Sequence, residues 1–184
     1  KYGLGDPDTR VRMACVEAFG KIGNPVAAVS LLPLLHDPTT GVRQTVVGAL
    51  DRLNHRNAQP GLLEAVQSGP DDIRPAAMTL AARLAAREDA PALVAVLNHP
   101  LPAVRAWAAR LIGQVATSEY AASLIPVLRD GDPNVRIEAI GALKRFGGPD
   151  VLDPLDYVAA RDPHPEVRKV AQDALATLKA RAPR

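Results

Sequence analysis

Six arginines stand at near-constant spacing: Arg12, Arg43, Arg74, Arg105, Arg136 and Arg168 are separated by 31, 31, 31, 31 and 32 residues. A guanidinium is a permanently charged planar fork, so such a row can either bind an anion or pair with carboxylates of its own chain. The second reading is favoured by Asp6, Asp37, Asp130 and Asp162, each of which lies six residues ahead of an arginine. Ser68 and His99 occupy the same column in place of the acid. A second basic column falls nine residues after the arginines and reads Lys21, Arg52, Arg83, Gln114, Arg145 and Thr177. Its four cations, one per repeat, could follow a phosphate backbone or form an ordinary solvated face. No aromatic residues interleave them to stack on bases.

Other residues invite narrower readings. Trp107, the only tryptophan, shares a column with Ala14, Thr45, Ala76, Glu138 and Val170, which predicts partial exposure. With Arg110 beside it, and Met13 and Ile137 one position earlier in their own units, it is expected to form a partner-binding patch. The alternative is packing against a neighbouring loop. His36, His55, His99 and His164 lack metal-ligand spacing, and His99 falls in a helix-capping position. Asp150, Asp153 and Asp156 read as a solvated acidic face, and Cys15 as a buried, inert member of a small-residue core column. There is no G-x-S-x-G, no phosphate-binding glycine loop and no Cys/His cluster. The expectation is therefore a non-enzymatic chain with no catalytic residue, no cofactor and no metal.

The elements that carry these residues follow from the period. Each arginine is preceded by Val or Ile (Val11, Val42, Ile73, Val104, Val135, Val167), and apolar residues recur 4, 7, 8 and 11 positions further on. Those offsets form one stripe on an α-helix. Asp or Asn with Pro marks the helix starts, and Gly20, Gly23, Gly147 and Gly148 are read as marking ends. A shorter helix follows in each unit on the column Leu31, Leu62, Leu93, Leu124 and Leu155, with Pro33 and Pro126 expected to bend two of them. The predicted fold is all-α, a solenoid of about eleven antiparallel helices with a repeat length of 31 residues. It is read as one domain: an orphan helix over 6–23, then two-helix repeats over 25–54, 57–86, 88–117, 118–148 and 149–181. Residues 1–5 are read as the stub of a truncated element, and Ala182-Pro183-Arg184 is expected to fray.

Composition agrees with helices. The chain has 184 residues, 47% hydrophobic but only 3% aromatic, and a net charge of +2, too small to imply nucleic acid by itself. One cysteine excludes an internal disulfide framework. No apolar run reaches membrane-spanning length and no signal peptide is visible, so a cytoplasmic location is expected.

The columns resemble a known family. The pattern D-P-x-x-x-V-R-x-x-A-x-x-A-L-x-x-L/I-G is similar to the short HEAT-like repeat of phycobilisome lyase subunits and many bacterial proteins. It recurs at Asp6–Gly23, Asp37–Asn54, Ser68–Ala85, His99–Ala116, Asp130–Gly147 and Asp162–Lys179. The resemblance implies a superhelix with the Val-Arg helices on its concave face, starting on an orphan second helix, as expected of a piece of a larger bacterial protein or of a solenoid whose first unit is degenerate. It also implies an Asp–Arg ladder between repeats, placed in doubt where Ser68 and His99 replace the acid. The commonest use of the family is a scaffold that binds another protein or peptide. Gripping a nucleic-acid backbone, as HEAT-like DNA glycosylases do, and a bilin-lyase-like role are the alternatives.

Overall fold

The computed structural model describes residues 2–181, with the Tyr2 side chain left aside; Lys1 and the tail 182–184, expected to fray, lie outside them. Among the described residues there are eleven α-helices and no strand, as the period predicts. The long helices are α1 (Thr9–Ile22), α3 (Thr40–Leu53), α5 (Arg74–Leu84), α7 (Pro102–Val115), α9 (Pro133–Phe146) and α11 (Pro165–Arg181). Between them lie α2 (Ala27–Leu31), α4 (Gln59–Ser68), α6 (Ala90–Val96), α8 (Ala121–Leu124) and α10 (Leu152–Arg161). The chain divides into two compact units, Lys1–Ala85 and Ala86–Arg184.

In the first unit α1 packs on α3 and α4 on α5; in the second, α7 packs on α9, and α11 on both α9 and α10. The apolar stripes meet at these seams, and Val42, Val46, Ala49, Val135, Ala139 and Ala171 have no exposed surface. Burial of a Val or Leu side chain contributes about 1.5–3 kcal/mol, and here each short helix depends on it, because helices of this length are marginal alone. Small residues set the approach. A Cβ on Gly113 would lie 2.8 Å from Ala142 Cα, and one on Gly20 would lie 3.1 Å from Ala49 Cα.

Gly20 is therefore a packing residue inside α1 and not a helix end. The end comes at Gly23, whose φ of 73° only glycine adopts freely. Proline acts by position. Pro60 and Pro91 sit in the first turn of α4 and α6, where no N–H is required. Pro33 and Pro126 remove an N–H further along, and the chain tightens there into 3₁₀ turns over Leu32–His36 and Pro126–Arg129.

Candidate binding surfaces

Most of the arginine row is engaged inside the protein. Arg12 holds both carboxylate oxygens of Asp37 at 2.8 and 3.0 Å, Arg105 those of Asp130 at 2.7 and 2.7 Å, and Arg136 those of Asp162 at 2.8 and 2.9 Å. Each guanidinium also donates to a backbone carbonyl at the start of its own repeat, as Arg136 does to Asp130 O at 2.7 Å. Each acid in turn caps its loop: Thr39 N–H donates to Asp37, Asp132 N–H to Asp130 and His164 N–H to Asp162. One carboxylate thus fixes a turn and ties it to the preceding long helix.

The two substituted positions are handled differently. Where Ser68 replaces the acid, Asp72 reaches in from further along the loop and meets Arg43 at 2.9 Å. The signal for it was the Asp71-Asp72 pair directly ahead of Ile73-Arg74. Arg74 bonds within its own loop, to Val66 O, Gly69 O and Asp71. His99 keeps the capping half of the acid's role. Its Nδ1 accepts the Leu101 N–H at 3.0 Å, and its carbonyl accepts from Arg105. At the end of the row, Arg168 donates to Asp162 O and Pro163 O and has no acid partner among the described residues.

These carboxyls titrate below the ordinary aspartate value of 3.8. For Asp130 the largest cause is the Arg105 hydrogen bonding. For Asp37 and Asp162 burial pushes the carboxyl up, and the paired arginine and a backbone N–H more than reverse it. A depressed folded-state pKa contributes stability that is complete above the unfolded value and is lost as pH falls through the folded one. The urea midpoint should accordingly hold between pH 7 and about 5 and fall below about pH 4. Asp130→Asn should make that acid-side fall shallower, as read by circular dichroism across the series.

The second basic column is exposed in Lys21, Arg52, Arg83 and Arg145. Two of its cations have acids beside them: Arg83 pairs with Asp51 at 2.5 Å, and Lys21 lies 3.7 Å from Glu17. Arg52 and Arg145 have no ion pair among the described residues. Arg145 instead offers its carbonyl to Arg181 at 3.0 Å.

The patch expected around Trp107 differs from its reading. Trp107 is 5% exposed, not partly open. Its shorter column-mates report where the Cβ stands, whereas an indole reaches beyond that point and buries its area wherever neighbours allow. Arg110 is exposed and Ile137 half-buried in the second unit. Met13, in the first unit, is half-buried, with its Sδ 3.6 Å from where a Cβ on Gly41 would stand. Cys15 is half-buried instead of buried: the 3₁₀ turn Tyr2–Gly5 covers part of it, so that a Cβ on Gly3 would collide with its Sγ, and the rest of that side is open. Asp150, Asp153 and Asp156 are exposed. His164 Nδ1 accepts from the Arg136 guanidinium at 3.0 Å, and His55 Nδ1 accepts the Asn57 N–H at 3.2 Å. Among the described residues no group of three or more His, Cys, Asp or Glu could hold a metal ion, and no helix is long and apolar enough to cross a membrane.

The second unit carries a groove of about 560 Å³ between the 3₁₀ turn after α8 and α10. Ile125, Leu128, Pro154 and Val158 form its apolar floor, and Arg129, Asp153 and Arg161 its polar edge. Tyr157 stands at the mouth, 56% exposed, with the Arg161 guanidinium 5.2 Å from its ring centre. Sequence reading missed this pair. Its signal was an aromatic and an arginine four residues apart on one helix, in a chain with few aromatics.

The model of the HEAT repeats family matches residues 2–83 and 90–176. Among curated proteins, none matches the chain in sequence. Solved structures share the fold at low identity. A chain from a structure of microtubule plus-end tracking by XMAP215, CLIP-170 and EB1 is 15% identical, with a TM-score of 0.67 over 99% of this chain and 90% of that one. Computationally designed armadillo repeat proteins for modular peptide recognition give 18% and 0.62, over 96% and 97%. Human deoxyhypusine hydroxylase in complex with glycerol gives 25% and 0.57, over 97% and 72%. The eleven alternating helices, the in-register Val-Arg columns and the family model agree, and the chain belongs to the HEAT-repeat proteins of the all-α, armadillo-like solenoid class.

Proposed function

We propose that the chain is a non-enzymatic scaffold that binds another protein through an extended segment. The observation that carries this reading is the groove at Tyr157. An exposed aromatic stacked with an arginine over an apolar floor combines the residue types that dominate interface energetics. The designed armadillo proteins of the same class recognise peptides, which supports the same use of this fold. The repeats themselves are occupied by packing and by the arginine–aspartate pairs, which leaves side chains such as Tyr157, Arg161 and Arg110 for a partner. The hydroxylase neighbour shows that the class also hosts enzymes, so the non-enzymatic part rests on the absence of a reactive constellation in the sequence.

The test is chemical cross-linking and affinity capture from the source cells with the wild-type chain, Tyr157→Ala and Arg161→Glu, and with Arg10→Ala as a surface control. A defined set of proteins should be captured by the wild type and the control and lost from both groove variants. Equal capture by all four chains would overturn the groove as the binding site.

Nucleic-acid binding is the weaker reading. It retains Arg52 and Arg145 as unpaired cations, and Arg83 is already neutralised by Asp51. It requires a duplex shift at low salt that fades steeply as salt rises and is lost in Arg52→Glu.

A further inference from the structure

We propose that the segment seated in the groove at Tyr157 is acidic: an apolar residue rests on the floor, flanked by Asp or Glu side chains that Arg129 and Arg161 hold. The inference rests on the binding role proposed above and adds the chemistry of the partner. Three observations carry it.

The first is that the groove is open where its counterpart is shut. In the first unit the 3₁₀ turn Leu32–His36 meets α4 as the turn Pro126–Arg129 meets α10 in the second. Gly61 lets the turn and helix of the first unit close on each other: a Cβ on it would stand 2.7 Å from Leu32 Cδ2. Three repeats on, Pro154 takes the place of Gly61 and Ile125 that of Leu32, and both line the open volume. The pair that crosses the counterpart is replaced as well. His36 lies 3.9 Å from Glu64, and the matching positions hold Arg129 and Tyr157, between which no ion pair can form.

The second is charge. The residue ahead of each loop acid or its substitute reads His36, Gln67, Asn98, Arg129 and Arg161. The two arginines of this column thus come to one groove. Both are exposed, and neither has an ion pair among the described residues. The acids beside them are already engaged: Arg105 and Arg136 hold both carboxylate oxygens of Asp130 and Asp162. Asp153 is the lining carboxylate left over, so the uncommitted charge is two cations against one anion.

The third is how Arg161 is held. Its guanidinium carbon stands over the Tyr157 ring, 5.2 Å from the centre. The ring attracts the cation without using a hydrogen bond, so the N–H fork that takes a carboxylate bidentately stays free. Holding the fork in place before a partner arrives lowers the ordering cost of binding.

The probe is a random library of short displayed peptides, selected on the chain at low salt, with the selected sequences remade as free peptides. Peptides retained by the wild type and by Arg10→Ala but lost from Tyr157→Ala report on the groove. They should be rich in Asp and Glu around an apolar residue. Changing those acids to Asn and Gln should weaken binding about tenfold or more, and Arg129→Glu and Arg161→Glu should each do the same to the acidic peptide. Both variants should melt with the wild type, because the two side chains are exposed. Groove-dependent peptides that are neutral or basic would overturn the acidic segment and leave the scaffold reading standing. Acidic peptides indifferent to both arginine variants would overturn it too. If no selected peptide depends on Tyr157, the groove is not a peptide site and both readings fall. A dimer of the chain, seen by sedimentation and abolished by Tyr157→Ala, would assign the groove to a second copy and sink the proposal.

Discussion

Asp162→Ala should lower stability by about 3 kcal/mol, the lower end of the range for breaking a buried pair. In urea unfolding this is a large shift of the midpoint with no change in slope, and in a thermal scan a fall of about 6–12 °C. The size follows from what is stranded. Arg136 is 5% exposed and cannot lose its proton, so without Asp162 a buried cation keeps only the Asp130 carbonyl and the His164 ring as partners. The substitution also removes the acceptor of His164 N–H at the start of α11. The lower end applies because Pro163 and His164 are exposed and water lies close by. Arg136→Leu/Asp162→Ala should recover about half of the loss, since no charge is then left unpaired. Arg10→Ala should change nothing measurable: its pair with Asp8 sits in water, with 90% of the arginine side chain exposed. If Asp162→Ala behaves like Arg10→Ala, the pair is ornamental and the repeats are held by their apolar seams alone.

The contrast between these two pairs shows what the sequence can and cannot specify. A 31-residue recurrence of Val-Arg with apolar residues 4, 7, 8 and 11 further on leaves little choice but stacked helices, because only a helix puts those offsets on one side. The order and number of the helices were legible for that reason. What depended on reach was not. Asp72 replaces the missing acid at Ser68 because the loop, and not the column, decides where a carboxylate arrives. Gly20 looked like a stop because glycine usually is one, but α3 comes so near that a Cβ there would stand 3.1 Å from Ala49 Cα and press α3 back. Cys15 sits in a core column yet is half open, since the short turn Tyr2–Gly5 covers only part of that side. The Tyr157 groove was hidden for a related reason: exposure of an aromatic on a short helix is set by the loops around it.

Trp107→Ala is the variant that separates a packing role from an anchoring one. At 5% exposure the indole should behave as core, and its removal should cost about 3–5 kcal/mol in urea unfolding, within the usual range for deleting a buried aromatic. Trp107→Phe should lose much less, because most of the apolar volume remains. A partner anchor predicts the reverse pattern: binding abolished, stability untouched, and Arg110→Ala sharing the binding defect. Arg110 is exposed on the same helix, so Arg110→Ala should be neutral in unfolding whichever role Trp107 has, which makes it the internal control. As the sole tryptophan, Trp107 supplies its own readout. Its fluorescence should resist quenching by acrylamide in the native chain and become fully quenchable in urea, with the two transitions coinciding. A native state quenched as readily as the unfolded one would place the ring at the surface and return it to the partner-binding patch.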